Sequence, residues 1–258
     1  MMLPEPHLPS PYYGGTVSDL LVVIPAFNEE ATVGDVIEAV RAELPVDVLV
    51  VDDGSFDQTS LRAREAGAMV LNHPFNLGVG AALRSGFRFA KAGRYKAVVQ
   101  VDADGQHDVG DVQALLEHLQ AEGVDVVVGS RFAEGYHTGS VRRLTMRLLS
   151  RVMSKRLGVQ LTDTTSGFRA FSDRAIEVFA AGYPSAYLSD TVEALILADA
   201  NGLVIAERPV RMHERQGGRP SAGNVKSMFH FVRLILVLAL HRFRRPAKQK
   251  GFGHLVAD

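Results

Sequence analysis

Alternation constrains this chain more than any other feature. Continuous apolar runs at residues 20–24, 48–51, 68–71, 97–101 and 124–128 are separated by helical spacing at 32–43, 58–66, 78–92 and 112–121. Strands that alternate with helices imply βαβ units and a mainly parallel sheet. Unbroken apolar strands suit a sheet covered on both faces. The expected class is therefore α/β. At 258 residues, no staple is needed to complete a core. The absence of cysteine excludes a disulfide framework, a zinc–thiolate site and a cysteine nucleophile. With 47% hydrophobic and 22% charged residues, the chain is neither disordered nor fibrous.

The second half has a different character. Residues 141–157 predict a basic amphipathic helix, with Arg143, Arg147, Arg151 and Lys155 on one stripe and Leu144, Leu148 and Val152 beside it. A polar loop over 162–169 leads to helices near 173–181 and 190–201 and a strand from 203 towards 210. A Gly-rich turn over 216–222 precedes a last amphipathic helix over 225–243. The formal net charge of -1 hides an asymmetry: residues 206–250 hold eleven Lys/Arg and two acids, Glu207 and Glu214. A basic end on an acidic body suggests an anionic partner. The first eighteen residues carry Pro4, Pro6, Pro9 and Pro11 with Gly14 and Gly15, and read as a flexible arm without a secretory leader. The longest apolar stretch, 228–240, is interrupted by His230 and Arg233 and is too short to span a membrane. Three divisions follow: an arm over 1–18, a main domain over 19–222, and a basic helix and tail over 223–258.

Four polar clusters follow the first four strands in order. They are Pro25-Ala26-Phe27-Asn28-Glu29-Glu30, Asp52-Asp53-Gly54-Ser55, Asn72-His73 with Asn76-Leu77-Gly78-Val79-Gly80, and Asp102-Ala103-Asp104-Gly105-Gln106-His107. Open α/β sheets bind ligands beyond the carboxyl ends of their strands, so all four would share one edge. Asp102 and Asp104 form the expected divalent-cation site, with Gln106 adding a carbonyl oxygen. Such a cation would assist a diphosphate leaving group. The bland alternative is that the two aspartates only cap the following turn. Asp53 would accept hydrogen bonds from a base or ribose, or the Asp52–Ser55 segment is simply a turn with Gly54 at positive φ and Ser55 or Asp57 as a cap. Gly78 would let a helix N-terminus approach phosphate. There is no Walker A motif and no Gly-x-Gly-x-x-Gly after the first strand.

The runs VVIPAFNEE, VVDDGS, NLGVGAAL and VQVDADGQH, in that order, resemble the family 2 glycosyltransferases. Gly129-Ser130-Arg131, the run Asp163–Arg169 and Gly217-Gly218-Arg219-Pro220-Ser221 resemble the dolichyl-phosphate mannose synthase-like, polyprenyl-phosphate branch. That resemblance spans about residues 20–220. It implies a GT-A fold, Rossmann-like and nucleotide-sugar-binding, with C-terminal amphipathic helices. It further implies an inverting, Mg²⁺- or Mn²⁺-dependent transfer from a nucleotide-diphosphate sugar. On this resemblance Pro25, Ala26, Asn28 and Glu29 line the base and ribose, and Asp53 contacts the base. Asp102 faces the donor, Asp104 and Gln106 hold the cation, and Arg131 helps bind the acceptor or diphosphate. Asp190 is the general-base candidate for a hydroxyl acceptor; a phosphate acceptor needs no base. The alternative for Asp190 is a capping box with Glu193.

A polyprenyl phosphate is the expected acceptor and a soluble hydroxyl the runner-up. Many relatives in that branch carry membrane helices, and no span is predicted here. The two basic helices are candidates for an anionic membrane surface, or else core helices with solvated Arg faces. Arg211, His213 and Arg215 alternate and could clamp a phosphate; His213 is also a candidate third metal ligand. A sugar-nucleotide pyrophosphorylase would need a Gly-rich, basic loop after the first strand, which is missing. A non-catalytic nucleotide-binding module is the third reading. Nucleic acid is not an expected partner. The expected location is cytoplasmic, with attachment to the inner membrane face and homo-oligomerisation left open.

Overall fold

The computed structural model describes residues 19–120, 123–131, 140–184 and 190–213, with side chains of 140–145 outside the description. These all fall in the first of two compact units, Met1–Pro220; the second is Ser221–Asp258. The expected arm over 1–18 and helix over 225–243 lie outside the described residues.

Five strands and four helices alternate through the first half: β1 (Leu20–Ala26), α1 (Val33–Glu43), β2 (Asp47–Asp52), α2 (Thr59–Glu65), β3 (Met69–Asn72), α3 (Val79–Ala92), β4 (Ala97–Gln100), α4 (Asp111–Gln120) and β5 (Val126–Ser130). Then come α5 (Ser140–Leu157), β6 (Arg169–Ser172), α6 (Asp173–Gly182), α7 (Asp190–Ala200) and β7 (Ile205–Pro209). The strands form one seven-stranded sheet in the order β3-β2-β1-β4-β6-β5-β7. It is mainly parallel, as expected. The exception is β6, which runs antiparallel to both β4 and β5.

Periodicity did not find β6. It has four residues and opens on an arginine, so a polar loop through Arg169 was the natural reading. The other elements expected within the described residues are present, with ends shifted by one or two residues.

Both sheet faces are covered. On one face Val22, Ile24, Val48, Val50 and Val99 pack with Val33, Val36, Ile37 and Val40 of α1 and with Val112 and Leu115 of α4. Each such aliphatic side chain contributes about 1.5–3 kcal/mol by burial. The other face is aromatic: Phe87 of α3 lies 4.9 Å from Phe171 of β6 and 5.2 Å from Phe179 of α6. Arg84 of α3 donates to the Tyr183 carbonyl at the end of α6, tying the two helices together. After β1 the chain builds β2 and β3 on one side, then returns to place β4 on the other. This reversal opens a crevice at the carboxyl ends of β1 and β4, where ligands of such sheets bind.

Candidate active site

The β1 and β2 ends are stitched together there. Pro25 and Ala26 close β1 in register with Val51 and Asp52, and the Ala26 carbonyl accepts from the Asp53 amide at 2.8 Å. Asn28 has φ 57, a left-handed conformation that asparagine tolerates. Its amide donates to Ser55 Oγ at 2.9 Å, and its Oδ1 accepts from the Phe56 amide at 2.9 Å. The Glu29 amide donates to Thr59 Oγ1 at 2.8 Å. Gly54 takes φ 76, as the turn reading required, and a Cβ there would lie 2.6 Å from the Phe75 backbone. Asp57 accepts from the Thr59 amide at 3.0 Å, so it serves the start of α2.

Asp53 is buried and heavily engaged. Its carboxylate accepts from the Leu77 amide at 3.0 Å and the Gly78 amide at 2.7 Å, and contacts His73 Nδ1 at 2.7 Å. His73 Nε2 then meets Ser85 Oγ at 2.9 Å. Asp53 thus shapes the loop leading into α3, and Gly78, at φ 92, precedes that helix.

Asp102 and Asp104 occupy the turn after β4. The Asp102 side chain is 39% exposed, although it is hemmed in by buried neighbours. Its amide donates to His107 Nδ1 at 3.1 Å, which leaves Nε2 to carry the proton of neutral His107, 3.5 Å from Asp102 Oδ2. Burial lowers the pKa of His107; Asp102 and Asp104 act against that. The ring stacks on Phe168 with centroids 4.7 Å apart. A Cβ on Gly167 would sit 2.8 Å from both Asp102 oxygens, so glycine is needed to admit this carboxylate. Asp104 Oδ1 accepts from the Gln106 amide at 3.1 Å. The turn is fixed from outside by the His213 amide, which donates to the Gln106 carbonyl at 2.8 Å.

Asp102, Asp104 and Gln106 therefore share one turn. Among the described residues no group of three His, Asp or Glu side chains is arranged to hold a metal ion. Two carboxylates on a turn still suit Mg²⁺ or Mn²⁺, which complete their shells with substrate phosphate and water.

The opposite wall is the 163–169 loop. Arg131 forms a fork on Asp163, with Nε to Oδ2 at 2.6 Å and Nη2 to Oδ1 at 2.9 Å, and also donates to Thr165 Oγ1 at 2.8 Å. Burial raises the Asp163 carboxyl, but the Arg131 hydrogen bonds and charge outweigh it and hold the pKa below the usual value. Glu207 of β7 accepts from the Thr162 and Asp163 amides at 2.7 and 3.0 Å. Arg131 thus anchors this loop. Arg211 is paired with Asp108 at 3.2 Å and Asp111 at 3.4 Å. His213 Nε2 is 3.7 Å from Asp108. Arg215 lies outside the described residues.

Asp190 opens α7 and is buried, with Oδ2 lacking a hydrogen-bond partner. Burial pushes its pKa up to about 6, against the backbone amides and Arg169; the Asp102 charge adds to the rise. That coupling places Asp190 in the electrostatic neighbourhood of Asp102.

The sequence reading gave no role to His107, Asp163, Gly167, Arg169 or Glu207. Asp163, Gly167 and Arg169 stood in the quoted motif, which was the only signal for them. Nothing local marks Glu207 or the buried state of Arg169.

Residues 21–179 match the model of the family described as "Glycosyl transferase family 2". The chain belongs to that family. It is a glycosyltransferase with the GT-A architecture its sheet displays. It is 32% identical to the polyprenol monophosphomannose synthase of Mycolicibacterium smegmatis, over 80% of this chain and 82% of that protein. It is 28% identical to the UDP-N-acetylglucosamine–dolichyl-phosphate N-acetylglucosaminyltransferase of Methanococcus voltae, over 84% and 95%. Among solved structures, glucosyl-3-phosphoglycerate synthase of Mycobacterium tuberculosis, in complex with Mn²⁺, UDP and its product, superposes with a TM-score of 0.65. Identity there is 27%, covering 89% of this chain and 81% of that one.

Proposed function

We propose that this family 2 glycosyltransferase moves a sugar, with inversion, from a nucleotide-diphosphate donor to a polyprenyl phosphate. One observation carries the reading: the Asp102–Asp104 turn lies at the switch-point crevice, between the nucleotide-side loops of β1 and β2 and the 163–169 loop. The acceptor class is supported by relatives named for polyprenyl- and dolichyl-phosphate transfer. In this reading Pro25, Ala26, Asn28 and Glu29 border the base and ribose, and Asp53 and Gly78 shape the loop beside them. Asp102 and Asp104, with Gln106, would hold Mg²⁺ or Mn²⁺; the glucosyl-3-phosphoglycerate synthase structures contain these ions with UDP. When bound, the cation neutralises charge on the diphosphate leaving group. Arg131 fixes the acceptor-side loop through Asp163. Arg211 serves the donor end indirectly, by tying Asp108 and Asp111 to the segment that follows β7. An anionic phosphate oxygen attacks the anomeric carbon and needs no base.

Among the described residues no helix is long and apolar enough to cross a membrane. A peripheral attachment would draw on the basic residues of 206–250, each worth about 1 kcal/mol beside an anionic surface.

Asp190 favours a second reading. A buried carboxylate with a pKa near 6 and an unpartnered oxygen is what a general base for a hydroxyl acceptor requires. A donor screen with Mg²⁺ or Mn²⁺, with and without a short polyprenyl phosphate, separates the two. Extractable sugar-lipid together with released nucleoside diphosphate supports the first. Transfer only to 3-phosphoglycerate or another soluble hydroxyl would overturn it and select the second.

A further inference from the structure

Arg169 is a fully buried cation with no direct ion pair among the described residues. It is the largest of the side chains with almost no exposure. It opens β6 directly opposite Gln100 of β4, in the column that continues to Phe171 opposite Val98. Its guanidinium meets three backbone carbonyls. Nε donates to Ser166 at 2.9 Å, Nη2 to Thr164 at 3.1 Å and Nη1 to Thr191 at 2.9 Å. Two of these carbonyls belong to the loop that walls the crevice. The third lies in the first turn of α7, one residue after Asp190.

Taking a guanidinium out of water is expensive, and its three carbonyl partners compensate only in part. The remaining balance is longer-ranged. Burial lowers the Arg169 pKa, while Tyr183, Asp190, Asp163 and Asp102 act in the opposite direction. Around this cation the structure leaves three buried polar atoms without hydrogen bonds: Gln100 Oε1, Tyr183 Oη and Asp190 Oδ2. The Asp190 carboxylate is therefore held by backbone amides at the start of α7, with Oδ2 left without a partner.

We infer that Arg169 is a positioning residue. By clamping the Thr191 carbonyl to the 164–166 loop, it fixes Asp190 relative to Asp102 across the crevice. It touches no reacting group itself. A planar fork can bond carbonyls in three directions at once, which the single ammonium of lysine does not reproduce. This inference rests on the second reading, transfer to a hydroxyl acceptor at the Asp102–Asp104 turn with Asp190 as its base, and a polyprenyl-phosphate acceptor found in the screen removes it.

A double-mutant cycle tests it, using the donor and acceptor identified by the screen. Wild type, Arg169→Lys, Asp190→Asn and the double variant are compared for kcat, both KM values and melting temperature. Arg169→Lys lowers kcat by about tenfold to a hundredfold, as a displacement near 1 Å does, with donor KM unchanged. In the Asp190→Asn background the same change costs nothing more, because the residue it positions is already lost. Losses that multiply in the double variant overturn the inference, as does a wild-type kcat in either single variant. Arg169→Gln, which removes the buried charge, completes the same cycle if lysine prevents folding. A wild-type enzyme inactive with every donor and acceptor removes the functional reading itself, whereas an active one with multiplying losses removes only this inference.

Discussion

Asp190 shows how one buried carboxylate links stability to chemistry. An unfolded aspartate ionises near 3.8, while in the fold burial pushes this group up to about 6. Between those values the folded chain keeps a proton that the unfolded chain has lost. Stability therefore falls as pH rises through this window, and the deficit persists above it. A shift of this size corresponds to about 3 kcal/mol at most. Asp190→Asn removes the ionisation, so it should be more stable than wild type at pH 7.5 by about 1–3 kcal/mol, with the gain nearly gone at pH 4. Urea titrations at the two pH values check this. Equal gains at both would show that the carboxylate carries no ionisation penalty. Gly167 makes a second prediction at this scale. A Cβ there would press on both Asp102 oxygens, the mobile end of a side chain, so Gly167→Ala should fold but displace the carboxylate. The expected result is a loss of transfer of about a hundredfold, with circular dichroism and melting behaviour retained. Unchanged turnover would mean that Asp102 tolerates another position.

Helix α3 approaches β1 closely at a glycine. A Cβ on Gly86 would lie 2.6 Å from Val23 Cγ1, in the centre of the sheet, where nothing is free to give. Gly86→Ala should lift α3 from β1 and cost about 1–3 kcal/mol. Gly34 in α1 is the control: nothing lies within 4 Å of its would-be Cβ. Gly34→Ala should stabilise by about 0.4–1 kcal/mol through the unfolded state. Denaturation midpoints with unchanged slopes would distinguish these effects, and equal behaviour at the two glycines would refute the close-approach argument.

The same scale explains what the sequence revealed. The first four strands were legible because each is an apolar run closed by a polar cluster, as at Val50–Val51 before Asp52-Asp53. The Asp102–Asp104 turn was legible for the same reason, since both residues are neighbours along the chain. β6 was not, because four residues carry no period and its first residue is a buried arginine. Nor were the loop anchors. Glu207 meets Thr162 across forty-five residues, and Arg131 meets Asp163 across thirty-two, so only the folded sheet reveals either pairing. Asp53 shows the limit of a correct local reading. Its position at the strand end was evident, but its engagement with the Leu77 and Gly78 amides depends on where β3 delivers the next loop.

At the scale of the whole molecule, the antiparallel insertion of β6 between β4 and β5 brings the two halves of the chain to one crevice. The polar clusters come from the loops after β1 to β4, while the facing wall comes from 163–169 and the start of α7. A ligand that binds only this assembled arrangement must stabilise the entire fold by mass action. A nucleoside diphosphate with Mn²⁺, at about one hundred times its dissociation constant, should add about 2.7 kcal/mol. For a domain of this size that raises the melting temperature by roughly 5–10 °C. Screening UDP, GDP, ADP and CDP in this way also identifies the base. A chelator should remove the metal-dependent part of the shift. Asp104→Asn should remove the same part, while lowering the ligand-free melting temperature by no more than about 2–4 °C, since it weakens one turn hydrogen bond. The comparison decides between two roles for this carboxylate. A cap matters equally with and without nucleotide. A metal ligand matters only when metal and diphosphate are both present, so a full shift in Asp104→Asn would return the turn to a purely structural role.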